Sequence, residues 1–110
     1  TGLKNGNYKL TIDGREIGLY NDAQLAEGIN LATLATPMSE QAMSVYNLIT
    51  QHNDLHNARW RTVQVPLEPL HLSPTQSTMD ALDTLDNAVA EQAHKAAQPK
   101  PHSFSLAAVN

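Results

Sequence analysis

Cysteine is absent from the 110 residues, which excludes disulfides, thiolate nucleophiles and cysteine-based zinc sites and leaves the redox compartment open. Aromatic residues make up only 5% of the chain, so a core has to be built mainly from Leu, Ile, Val, Ala and Met, and it is expected to be thin. Basic charge is scarce. Seven Lys and Arg face eleven Asp and Glu, a net charge of -4, and the cations are scattered rather than striped. That pattern offers no footprint for a phosphate backbone and argues against nucleic-acid binding. No apolar run approaches the roughly 20 residues of a membrane-spanning helix, and the N-terminus lacks the basic and apolar regions of a signal peptide. What is present, 41% hydrophobic residues over 110 positions, suffices for one folded domain with one core but names no activity.

The strongest local signal lies near the start. Asp13-Gly14 is the dipeptide that best tolerates the positive φ angles of a type I′ hairpin turn, and alternating apolar residues flank it. If the turn closes with Ile12 opposite Arg15, Leu10 faces Ile17 and Tyr8 faces Leu19, while Lys9, Thr11, Glu16 and Gly18 point the other way. A two-stranded hairpin is marginal in water, so its apolar face needs a further strand or a helix. A second turn signal, Asn5-Gly6, is entered only by Thr1-Gly2-Leu3-Lys4, so the chain reads as beginning inside a sheet, a piece of a larger protein.

The remaining organisation follows from caps and breakers. Residues 1–36 read as the hairpin plus a short helical turn, capped by Asn21 or Asp22 and ended by Gly28, after which Ile29, Leu31 and Ala32 return to the core. Thr36-Pro37, with Ser39 and Glu40 in the first turn, predicts a long helix over 37–61. Its apolar stripe is read as Ala42, Val45, Tyr46, Ile49, His52 or Asn53, His56 and Trp60, weakening after Ile49. Residues 62–73, containing Pro66 and Pro69, are expected as an extended connection packing through Val63, Val65, Leu67 and Leu70. A second helix is predicted over 74–98, with Ser73 and Gln76 forming a capping box and Met79, Leu82, Leu85, Val89, Ala93 and Ala96 on the helical period. Its acidic residues Asp80, Asp83, Asp86 and Glu91 precede Lys95, as the helix dipole favours. Residues 99–110 form a tail whose alternation from Ser103 to Leu106 suits an edge strand on the hairpin. The fold class is α+β, a small antiparallel sheet with two main helices.

Several residues invite chemistry. His52 and His56 stand at i and i+4, a spacing that can present two imidazoles to one metal, but position 53 is Asn where a zincin-type motif needs a Glu base. Glu68 to His71 and Glu91 to His94 have the Glu-x-x-His spacing; the first contains Pro69 and the second is a single copy, whereas di-metal bundles need paired motifs and further carboxylates. No metal ligand is therefore assigned. Ser39, Ser44, Ser73 and Ser77 suit caps or the surface. Trp60 between Arg59 and Arg61 can hold a sugar, a base or a carboxylate; the plainer expectation is a Trp covering the core with its arginines on the wet side.

In order along the chain, Thr1-Gly2-Leu3-Lys4-Asn5-Gly6-Asn7-Tyr8-Lys9-Leu10-Thr11-Ile12-Asp13-Gly14, Leu25-Ala26-Glu27-Gly28-Ile29-Asn30-Leu31-Ala32, Thr36-Pro37-Met38, Gln41-Ala42, His56-Asn57-Ala58-Arg59-Trp60-Arg61 and Pro99-Lys100-Pro101-His102-Ser103-Phe104 resemble the C-terminal region of bacterial SGNH/GDSL-type hydrolases, a lipase- and esterase-like family. The resemblance covers essentially the whole chain. In that family an α/β/α domain carries a Gly-Asp-Ser nucleophile block, a Gly and an Asn for the oxyanion, and a later Asp-x-x-His. None of these blocks occurs here, and Asp54-Leu55-His56 has the wrong spacing for the last. Serine hydrolysis needs a hydroxyl, a base, an orienting group and oxyanion donors. The resemblance thus implies a segment without catalytic, cofactor-binding or metal-binding residues, packing on an upstream catalytic domain or a second chain that carries it. There it would stabilise that domain, shape an entrance to its site or mediate subunit contact. For the intact protein it implies acyl-ester or carbohydrate-ester hydrolysis without a metal cofactor, and export to the periplasm or the outside. The alternative is a noncatalytic binding or interaction module, for carbohydrate or a protein partner, using the hairpin face and Trp60.

Overall fold

A computed structural model describes residues 2–109. At the hairpin turn Asp13 and Gly14 both adopt positive φ, 52° and 80°, as a type I′ turn demands. The turn joins strands β1 (Asn7–Ile12) and β2 (Arg15–Asn21), and β3 (Phe104–Val109) adds antiparallel to the other side of β1, giving the order β2-β1-β3. Asp13 also fastens that third strand. Its carboxylate accepts from the Ser103 N–H at 2.8 Å and lies 2.6 Å from His102 Nδ1, while its own N–H donates to the Ser103 carbonyl at 2.8 Å. The chain is α+β, with this three-stranded antiparallel sheet and two main helices.

The register of the hairpin differs from the sequence expectation. Ile12 pairs with Arg15 and Thr11 with Glu16, but Leu10 then pairs with Gly18 and Tyr8 with Tyr20. An irregularity between Leu10 and Thr11 leaves Ile17 as an extra residue, and such a bulge moves every later side chain of β2 to the opposite face. Leu19 therefore stands opposite Lys9 and is exposed, and Gly18 lies beside Leu10. The vacancy is used. A Cβ on Gly18 would come within 2.7 Å of the Tyr20 hydroxyl, so the Tyr20 ring folds back along its own strand over the glycine. Tyr8, Leu10 and Ile12 thus share a face with Tyr20, Phe104, Leu106 and Ala108, and Ile12 is wholly buried. Thr1, where the expected upstream strand would begin, lies outside the described residues, as does Asn110, and residues 2–4 form no strand.

Two compact units are distinguished, one reaching to Gln41 and resuming at Pro99, the other Ala42–Gln98. In the first, α1 (Asp22–Glu27) opens on a capping box between Asn21 and Gln24 and closes at Gly28, and a single 3₁₀ turn follows at Leu31–Thr33. Thr36, buried, then starts α2 (Pro37–Asn57): its N–H donates to Ser39 Oγ at 2.8 Å and its hydroxyl accepts from the Ser39 N–H at 3.1 Å. These two bonds satisfy donors that the helix start would otherwise leave free.

The second unit is a helical hairpin. Beyond Asn57 the winding continues as a π-helix over Ala58–Gln64, where Val65 N–H reaches back to the Trp60 carbonyl, then as one turn of α-helix, α3 (Val65–Leu67), and a 3₁₀ turn at Glu68–Leu70. The extended connection expected over 62–73 is thus largely helical. Pro66 and Pro69 each sit in the first positions of a short turn, where a missing N–H costs no internal bond. α4 (Ser73–Ala96) runs back along α2, since residue 52 pairs with 86 and residue 59 with 83. Its expected capping box does not form: Ser73 is already helical, Leu72 is the cap residue, and the Gln76 amide donates to Asp80 instead.

The packed seam of α2 is Val45, Leu48, His52, Leu55 and Arg59, facing Met79, Leu82, Asp83, Asp86, Val89 and Ala93. This corrects the expected stripe. Ala42, Tyr46, Ile49, His56 and Trp60 form a second stripe at the same periodicity, and they remain exposed. What separates the two is charge. Only the inner stripe sets His52 and Arg59 against the carboxylates that α4 carries inward.

Candidate functional site

The π-helix brings polar side chains together beside an aromatic. In π geometry residues five apart come into register, whereas five α-helical residues turn through about 140°. Arg59 and Gln64 accordingly meet side by side, Nη1 donating to Oε1 at 2.8 Å. The Asp83 carboxylate lies 2.6 Å from Arg59 Nε, an ion-pair distance, but Nε is shielded from solvent and has no aligned acceptor. Around them opens a cleft of about 390 Å³, walled by Gln64, Glu68, His71, Thr75 and Gln76 with Met79 as apolar floor. A second, of about 330 Å³, shares Gln64, Glu68 and His71 and is bordered by Trp60 and Pro69. His71 holds left-handed backbone, φ 53° and ψ 39°, where the 3₁₀ turn ends. The expected placement around Trp60 is inverted: Trp60 is 51% exposed, with Arg61 over its ring at 5.2 Å, while Arg59 turns inward.

Elsewhere on the hairpin, His52 Nδ1 lies 2.5 Å from Oδ1 of Asp86, whose side chain is mostly buried. A carboxylate fixing one imidazole nitrogen also occurs in nucleophile relays, but here the pair lies in the seam between α2 and α4. The serines sit otherwise: the Ser39 hydroxyl donates to the Thr36 carbonyl, the Ser77 hydroxyl to the Pro74 carbonyl, and Ser44, Ser73, Ser103 and Ser105 are exposed. His52 is engaged with Asp86 and His56 is exposed, so the i, i+4 pair is split. Glu91 faces Lys95 at 3.3 Å rather than His94, and Glu68 and His71 meet at the cleft. Among the described residues no group of three His, Asp or Glu gathers as a metal site, and no helix is long and apolar enough to cross a membrane.

Sequence reasoning missed Asp86 as the partner of His52, Arg59 as an inward residue, and the tie between Asp13 and His102. The first was within reach. Asp86 continues the period of Met79, Leu82, Val89 and Ala93, and a carboxylate on a buried stripe calls for a cation or donor opposite. The tie leaves a titration signature: His102 and the Ser103 N–H hold the Asp13 carboxyl below its ordinary value, because both favour the charged form.

The fold is similar to that of a solved enzyme structure. The solved structure is that of a gut microbial diltiazem-metabolizing enzyme, with a TM-score of 0.72 at 20% identity over 96% of the present chain. The chain spans about a third of that enzyme, 32% of its length. No family model and no curated protein matches the sequence.

Proposed function

We propose that this chain is a C-terminal accessory segment of an exported SGNH/GDSL-type ester hydrolase, stabilising or shaping a catalytic domain that carries the Ser/His/Asp residues. The observation that carries the reading is the imbalance between buried and exposed apolar surface. Among the described residues the buried apolar side chains are only Leu10 and Ile12 in the sheet unit and Met79 and Ala93 in the helical hairpin, whereas eleven large apolar side chains are exposed. Three of them, Met43, Tyr46 and Ile49, lie on neighbouring positions of one flank of α2, which is the pattern of a face that packs on something larger. One further observation supports it. The fold recurs as a third of a larger enzyme chain.

The test compares the 110-residue chain with the full-length protein in p-nitrophenyl acetate hydrolysis and in thermal unfolding. The full-length protein hydrolyses the ester and the 110-residue chain does not. Tyr46→Glu and Ile49→Glu lower the melting temperature of the full-length protein by several degrees and leave that of the short chain nearly unchanged, because only in the former is the flank covered. Ester hydrolysis by the short chain, or equal effects of both substitutions on both proteins, contradicts the proposal.

A further inference from the structure

The paired clefts around Gln64, Glu68 and His71 lie outside the seam of the hairpin and beyond Met43, Tyr46 and Ile49, the part of the α2 flank assigned to a catalytic domain, with Trp60 at their rim ending the same exposed stripe. We propose that they form a binding subsite for a neutral saccharide, with Trp60 as its stacking platform. Four features lead there. The ring of Trp60 is half exposed at the rim of the outer cleft, where its apolar face and N–H edge are both open to an amphipathic ligand. The walls are polar: Glu68 brings a carboxylate, and the amides of Gln64 and Gln76, bonded at one end to Arg59 and Asp80, bring their other end, an NH2 donor from Gln64 and a carbonyl acceptor from Gln76, to the hydroxyls of a pyranose. Both clefts are open and of the size that takes one or two sugar rings, with Met79 and Pro69 against the apolar faces. Finally, the backbone departs from regular structure where these groups converge, in the π-helix over Ala58–Gln64 and in the left-handed His71, and such departures persist where the surroundings hold them for a purpose.

Charge selects a neutral ligand over an anion. The single guanidinium at the inner wall is already met by Asp83 and Gln64, and Glu68 repels a phosphate or carboxylate from the shared wall. A polyol needs no net charge, and its C–H face can lie against the indole while its hydroxyls replace water on Gln64, Glu68 and His71. The inference goes beyond the hydrolase reading and does not rest on it, since binding is measured without turnover.

Isothermal titration of the full-length protein with cellohexaose, xylohexaose and mannohexaose, and separately with inorganic phosphate, tests it. At least one hexaose binds, and phosphate does not compete. Trp60→Ala weakens that binding at least tenfold and Gln64→Ala three- to tenfold. The conservative Trp60→Phe loses less than Trp60→Ala, which separates stacking from damage to the fold; circular dichroism melts identify any variant that unfolds, and Gln64→Ala then carries the test. Absence of binding by all three hexaoses, binding of phosphate at the expense of the sugar, or hexaose binding unchanged in folded Trp60→Ala and Gln64→Ala overturns the proposal.

Discussion

Removing the carboxylate of Asp86 tests how the helical hairpin selects its seam. Asp86 is mostly buried and lies 2.5 Å from His52, whose side chain is 39% exposed. A fully buried ion pair that loses one member leaves the other stranded, at a cost of about 3–5 kcal/mol. Here the survivor is within reach of water, so Asp86→Ala is expected to cost less, about 1–2 kcal/mol, from the lost charge-assisted bond and the space left between Leu82 and Val89. Asp86→Leu fills that space with a side chain suited to its neighbours, and its net effect should be within about 1 kcal/mol of zero. Urea unfolding of the 110-residue chain reads these differences. With a slope of about 2 kcal/mol/M, Asp86→Ala lowers the midpoint by about 0.5–1 M. The His52→Ala, Asp86→Ala cycle should return a coupling of about 0.5–1.5 kcal/mol. Additive single effects in that cycle would refute the view that the pair matters through its mutual contact, while an Asp86→Leu variant as damaged as Asp86→Ala would mean that the lost bond, not the lost volume, sets the cost.

Two further outcomes concern the sheet unit. Ile12 is wholly buried, so Ile12→Ala should cost about 2–5 kcal/mol and Ile12→Val about 0.5–1.5 kcal/mol in the same unfolding experiment, and equal small losses would place the core elsewhere. Asp13 has a carboxyl held below its ordinary value of 3.8 by His102 and the Ser103 N–H, so its contribution is present above that value and lost as pH falls through the lower folded value. Acid titration of stability should therefore show a component below pH 3.8 that Asp13→Asn abolishes, while a profile unchanged by the substitution would mean the tie to β3 is not formed in solution.

How much of this was legible in the sequence depended on whether one residue type forces one conformation. Asp13-Gly14 dictates its turn because few other pairs accept positive φ twice, and Thr36-Pro37-Met38-Ser39 dictates a helix start because its hydroxyls have free N–H groups to meet. The bulge at Ile17 has no comparable signature. It depends on Tyr20 folding over Gly18, a contact that appears only once the strands are paired. The stripe on α2 was ambiguous for another reason: two apolar series share one period, and the choice rests on Asp83 and Asp86 more than 20 residues away. Pro66 and Pro69 suggested an extended strap because proline breaks helix interiors, yet in turns this short each occupies an opening position. The cleft was hidden for the same reason, since it depends on the π-helix that precedes Pro66.

The most direct test of the accessory-segment account is active-site labelling of the full-length protein with a fluorophosphonate, followed by peptide mapping. The account predicts a single labelled serine outside these 110 residues, with Ser39, Ser44, Ser73, Ser77, Ser103 and Ser105 all unmodified. A label on any serine of this chain, with loss of ester hydrolysis in step with labelling, would contradict it.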